Sequence, residues 1–199
     1  MEVVDPPVPG RPMAKPRRVN WDQLAREAGI VTKRSSEGGT MTLTGSEWAC
    51  RALEILLGRD NIRTAVRLVL SPHGRREGAR AIAESVLRHV HSLQATELAY
   101  EAYRRGRQPN AAVMLIGDIA HARALEWVEE FLNDPRVTGA GIRLLDQLLW
   151  RGHVDPDHPE ARRLLTMAEH HPDEQIRAQA VSIRQSVAAR RSPDEESPS

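Results

Sequence analysis

The sequence predicts an all-α chain in which short helical hairpins stack in chain order as an α-solenoid, and three observations predict it. The first is a helical face that recurs. Ala49, Ala79, Ala111, Gly141 and Ala178 fall in one column, at steps of 30, 32, 30 and 37 residues. Three positions after each stand Ala52, Ile82, Met114, Leu144 and Val181. Eight positions after the first four stand Leu57, Leu87, Ile119 and Leu149, with Ser186 in the fifth unit. Small at the anchor and apolar at those spacings marks one side of a helix. The second observation is punctuation: Pro72, Pro109, Pro135 and Pro172 follow the second helix of each unit, where a residue without an N–H ends a helix. The third is the palette. Rings make up 4% of the chain, so the core is built from Leu, Ala, Val and Ile, which suits closely packed helices better than sheets.

Taken in order, residues 1–19 hold five prolines and few apolar groups, and read as a disordered arm. Residues 20–45 read as a short helix and a loop. Asn20 is a candidate N-cap with Gln23 three residues on, Gly29 is a stop, and an extended piece is expected at Thr40–Thr44. The solenoid is expected over 46–190. Its second helices start near Asp60, Ser92, His121 and His158 and carry pairs such as Leu68/Val69 and Leu164/Leu165. No single hairpin buries its apolar side alone, so the stack is one cooperative core. Residues 191–199, RSPDEESPS, read as a disordered acidic tail.

The third unit carries a family resemblance. Ile116-Gly117-Asp118-Ile119, then Arg123-Ala124-Leu125, then Phe131-Leu132 and Asp134-Pro135 resemble a short HEAT-like repeat of the phycobilisome-lyase type. Ala120 and His121 stand where that type usually has Gly and Asp. The other units are similar more loosely, through Ala/Leu spacing. The resemblance implies a right-handed α-solenoid of HEAT-like hairpins over about 46–190. It implies little about activity, because such repeats serve as scaffolds, enzymes and lyase subunits alike.

Composition narrows the function. With 28 Lys plus Arg against 27 Asp plus Glu, the chain lacks the cationic excess of a protein held on nucleic acid by phosphate neutralisation. One cysteine excludes an internal disulfide framework and a multi-cysteine metal centre. No apolar run approaches the ~20 residues of a spanning helix, and the Pro-rich start reads as no signal peptide. A soluble cytoplasmic protein is therefore expected, with no cofactor, no metal, no membrane attachment and no evident small-molecule ligand.

Catalytic constellations are weak. The di-iron HEAT-like enzymes carry His-Glu dipeptides, and this sequence has none. His153, Asp155, Asp157 and His158 crowd one loop with ligand types suited to a divalent ion, but they read first as polar turn sequence. Cys50 reads as a packed thiol inside a helix. The expectation is thus a non-catalytic adaptor that binds another protein on the face of its second helices. Arg59, Arg63 and Arg67, four residues apart and on one stripe, would take acidic groups together with Arg104 and Arg105. Glu126, Glu129 and Glu130 would take basic ones, and Trp150 would anchor an apolar contact. The alternative is a nucleic-acid-binding or base-repair protein on the same scaffold, with the arginines on phosphate.

Overall fold

The structure, a computed structural model, describes residues 32–34, 40–42, 46–71 and 77–191. The arm expected over 1–19, the short helix expected over 20–29 and residues 192–199 of the tail lie outside the described residues. The first described element is a small ladder. β1 (Thr32–Arg34) pairs antiparallel with β2 (Thr40–Thr42), Thr32 opposite Thr42. The extended piece expected at Thr40–Thr44 is β2; its partner TKR has no apolar alternation to announce it.

Beyond the ladder the described chain is helical. α1 (Ser46–Val69) bends at Gly58 into two arms, residues 46–57 and 59–69. There follow α2 (Glu77–Val90), α3 (Leu93–Arg104) and α4 (Pro109–Ile119). A 3-10 helix (Ala122–Trp127) runs on into α5 (Val128–Asn133), and α6 (Thr138–Trp150), α7 (Pro159–Glu169) and α8 (Glu174–Arg191) complete the chain. The starts follow from local chemistry. Ser92, His121 and His158 are N-caps, accepting from the backbone N–H of Ala95, Arg123 and Glu160, which satisfies donors that a helix start leaves orphaned. Pro109 and Pro159 occupy first helical positions, where their missing N–H costs nothing.

The ends of the first helices share a backbone device. Gly58, His91, Ala120 and Gly152 all have positive φ, at 73°, 47°, 52° and 71°. Only two of the four are glycine, so His91 and Ala120 make the same left-handed turn with a side chain present. At the third turn Ala120 adopts the left-handed conformation and His121 caps the 3-10 helix.

Principal contacts run between elements close in the chain. α1 packs on α2 and α3, α2 on α4, α3 on α4, α4 on α6, α5 on α6 and α7, and α6 and α7 on α8. The buried column steps by 29 residues: Ala83, Leu87 and Val90 on α2; Ala112, Ile116 and Ile119 on α4; Gly141, Leu145 and Leu148 on α6. This corrects the column read from the sequence. Leu87, Ile119 and Leu149 are buried as expected, but Ile82 is 68% and Val181 44% exposed. Apolar residues occupy two sides of these helices, so spacing alone selects the wrong side in α2 and α8. At the centre, Gly141 is required by contact: a Cβ there would stand 2.9 Å from Phe131 Cβ. Phe131 is fully buried and meets Tyr103 edge-on at 4.9 Å.

Candidate binding cleft

Two surfaces are candidates, and their side chains are disposed differently. Along the second helices most of the expected binding residues are held in ion pairs within the chain. Arg104 Nη1 lies 2.7 Å from Glu130, and Glu130 also accepts from Tyr100 Oη at 2.6 Å. Glu129 pairs with Arg163 of α7. Glu126 pairs with Arg123 at 2.6 Å, Arg105 with Glu101 at 2.9 Å and Arg63 with Asp60 at 3.5 Å. Two of these pairs, Arg104–Glu130 and Glu129–Arg163, join α3 to α5 and α5 to α7. Tyr100 stacks on Trp127 beneath them, at 4.1 Å and 4°. Nearby Tyr103 donates to Asp134 at 3.0 Å, and burial together with that carboxylate raises its pKa to about 12. Arg136, hydrogen-bonded to Asp134 through Nε and Nη2, holds that carboxyl well below the usual carboxylate range.

Of the remaining expected residues, Arg67 is exposed in the last turn of α1, and Arg59 lines the cleft described next. Trp150 is 60% exposed, and the Arg190 guanidinium sits 3.8 Å over its ring. A cation over the indole face is itself favourable, so the side chain expected as an anchor already holds the last helix.

The second surface is the edge formed by the turns that end the first helices. There the chain leaves an open cleft of about 1020 Å³. One wall is α1 about its bend, with Cys50 and Glu54 on the first arm and Arg59 at the start of the second; the other carries Gln94 and Glu97 of α3. Each of three successive turns contributes an imidazole: His91, His121 and His153. Val90, Leu93, Ala120 and Ala122 give it an apolar floor.

The local bonding sets the chemistry of this cleft. Ser92 is fully buried; its Oγ caps α3 and donates to the Glu54 carboxylate. His91 Nδ1 lies 2.6 Å from the Ile119 carbonyl. A carbonyl only accepts, so Nδ1 carries the proton and Nε2 of the neutral ring keeps its lone pair. His121 is the opposite tautomer, because its Nδ1 accepts from Arg123 N at 3.1 Å. Burial lowers the His121 pKa, against the pull of Glu54 and Glu97. The His91 and His153 rings stand 4.6 Å apart, tilted by 57°. The cleft therefore offers donors, acceptors, two carboxylates (Glu54 and Glu97) and two guanidiniums (Arg51 and Arg59) beside apolar side chains.

Other sequence candidates have structural occupations. Cys50 Sγ donates to the His89 carbonyl at 3.3 Å, a bond that needs the thiol protonated. In the loop with mixed ligand types, Asp155 accepts from the Asp157 N–H, His158 caps α7 and Asp157 pairs with Arg162. No group of three or more His, Cys, Asp or Glu among the described residues is placed to hold a metal ion. The cleft as a unit was not read from the sequence. The signal that finds it is the positive-φ residue: aligning Gly58, His91, Ala120 and Gly152 puts an imidazole at, or just after, that residue in three consecutive units. Comparison with protein-family models, with curated proteins and with solved structures returns no match.

Proposed function

We propose that the chain is a short right-handed α-solenoid of HEAT-like hairpins that acts as a non-catalytic scaffold for another protein. The pattern of contacts, each helix against those one or two steps away in the chain, supports the solenoid reading. One observation carries the functional reading: an open cleft spans three successive turns, whereas most charges on the second-helix face are paired within the chain. The partner segment is therefore assigned to the turn edge, with Glu97 and Glu54 taking its basic groups and Leu93 an apolar one. This relocates the docking surface first expected at Arg104, Arg105, Glu126, Glu129 and Glu130. No helix among the described residues is long and apolar enough to cross a membrane.

The test is site-specific photo-crosslinking in cells, with the crosslinker in place of exposed Glu97 or of exposed Arg67. A discrete protein adduct from the Glu97 position alone is the expected result. Adducts from Arg67 alone would return the partner to the second helices, and adducts from neither would sink the scaffold reading. A second reading rests on Arg59 and Arg67, which hold no ion pair among the described residues. If a polyanion is the partner, duplex nucleic acid binds at low salt and the triple Arg59→Glu, Arg63→Glu, Arg67→Glu variant abolishes it.

A further inference from the structure

The described histidines divide by what their Nδ1 faces. In His89 and His170, each at the end of its helix, it faces the carbonyl one turn back, Ser85 at 2.7 Å and Thr166 at 2.8 Å. In His91 it faces Ile119. A carbonyl only accepts, so these rings donate, and a second proton taken at Nε2 leaves the bond in place. In His121, His158 and His171 the neighbour is instead a main-chain N–H two residues on: Arg123 at 3.1 Å, Glu160 at 3.3 Å and Asp173 at 3.1 Å. An N–H only donates, so here Nδ1 holds the lone pair and the neutral ring carries its proton on Nε2. The tautomer of His171 is fixed from both sides, because its Nε2 stands 3.3 Å from the Leu132 carbonyl of α5. Two of the sites read His-Pro-acid, His158-Pro159-Glu160 and His171-Pro172-Asp173. Proline has no N–H, so the amide of the acid is the donor that the ring meets.

Each of these imidazoles serves the start of a helix. His121 and His158 cap the 3-10 helix and α7. His171 holds Asp173, whose Oδ1 accepts from the Gln175 N–H in the first turn of α8. Earlier in the chain α3 starts on the Ser92 hydroxyl, and α4 on Pro109 with no side-chain cap. We propose that His121, His158 and His171 form an acid-operated release for the part of the chain beyond α4. A proton taken at Nδ1 sets one N–H against another, so the cap is lost and the helix start opens. At α7 the helix dipole also opposes the new cation.

Charged neighbours set how readily each ring takes that proton. Around His121, burial is the largest influence and holds the pKa below the ordinary imidazole value; Glu54 of α1 and Glu97 of α3 favour the charged ring, and His91 and Arg123 oppose it. That cap is complete above the unfolded-chain value of about 6.5 and is lost as pH falls through the lower folded value. Around His158, Asp155 accepts from the Asp157 N–H, Asp157 and Glu160 are taken by Arg162 and Arg163, and Arg163 also takes Glu129 of α5. Around His171, the α5 carboxylate Glu130 and the Asp134 that follows α5 are taken by Arg104 and Arg136, and Glu169 of α7 by Arg184. Arg177 of α8 donates to the His171 carbonyl. These carboxylates already answer a guanidinium or an amide, which leaves less of their charge to draw a proton onto the rings. The release needs neither the cleft nor a partner in it.

Ring-nitrogen NMR and amide exchange on the full chain test this. At about pH 7.5 the expected tautomer is Nε2–H at His121, His158 and His171, and Nδ1–H at His89, His91 and His170. Between about pH 7.5 and about pH 5, the protection factors of the Arg123, Glu160 and Asp173 amides are expected to fall by about tenfold or more. That of Ala95, bonded to Ser92 Oγ, is expected to hold. The triple His121→Asn, His158→Asn, His171→Asn variant keeps an acceptor at each position and is expected to abolish the fall. Should it not fold, each single substitution is expected to abolish the fall at its own amide alone. An Nδ1–H tautomer at any of the three, an equal fall at Ala95, or a fall that survives the asparagines would overturn the proposal.

Discussion

Along the second helices, Arg104 reaches Glu130 and Arg163 reaches Glu129, so side chains from α3, α5 and α7 close on each other. Along the turn edge, His91, His121 and His153 stand with Glu54 and Glu97 around an open cleft. The difference teaches that a run of charge at helical spacing says little about availability, because the partner that neutralises it stands on a neighbouring turn of the same helix or on another helix about 30 residues away. The second-helix face reads as a seam between hairpins, backed by Tyr100, Tyr103 and Phe131, and the turn edge as the surface with chemistry to offer.

The largest expected effect lies under the seam. Phe131→Ala should cost about 3–5 kcal/mol in denaturant unfolding, the range for truncating a fully buried ring, and binding in the cleft should weaken only as far as the fold does. A loss under about 1 kcal/mol would mean the seam has no core behind it. Next comes the joint that shapes the cleft. Gly58 has φ 73° and ψ 158°, a region essentially restricted to glycine, so Gly58→Ala should cost about 1–3 kcal/mol.

Acid separates the two regions further. The folded-state pKa of His121 is lowered by burial, so the unfolded chain takes up its proton first as pH falls. Stability is therefore highest above the unfolded value of about 6.5 and declines below it, by at most about 1.4 kcal/mol per pH unit for one proton. His121→Asn keeps a capping oxygen and should flatten that limb of the stability–pH curve. Asp134 acts in a lower window: its stabilisation is present above the unfolded value of about 3.9 and is lost as pH falls toward its depressed folded value. Asp134→Asn should remove that second limb and leave the first.

The smallest effect is expected from the ion pairs themselves. Arg163→Ala and Glu129→Ala should each change stability by about 0–1 kcal/mol, since both side chains are about half exposed and screened by water. A coupling much above that in the double-mutant cycle would show the seam to be held by charge and not by the rings beneath it.

Much of the fold was legible because its signals are local. Ser92, His121 and His158 cap the helices they were expected to start, and Pro109 opens α4 where a break was expected. Apolar pattern failed where helices are apolar on two sides, as at Ile82 and Val181. The bend at Gly58 and the left-handed Ala120 follow from backbone geometry, which a residue name does not determine. The cleft was least legible of all. Its groups come from turns about 30 residues apart, individually ordinary, and only alignment on the positive-φ residue brings them together.

The bend in α1 has a mechanical side. Its two arms meet at one residue, so a small change in the Gly58 torsions swings the first arm as a lever. At 1.5 Å rise per residue, Glu54 stands only about 6 Å from the pivot and Ser46 about 18 Å. A tilt of about 10° therefore moves the carboxylate by about 1 Å and the helix start by about 3 Å. The same tilt thus shifts the wall of the hollow about a third as far as it shifts the start of the rod.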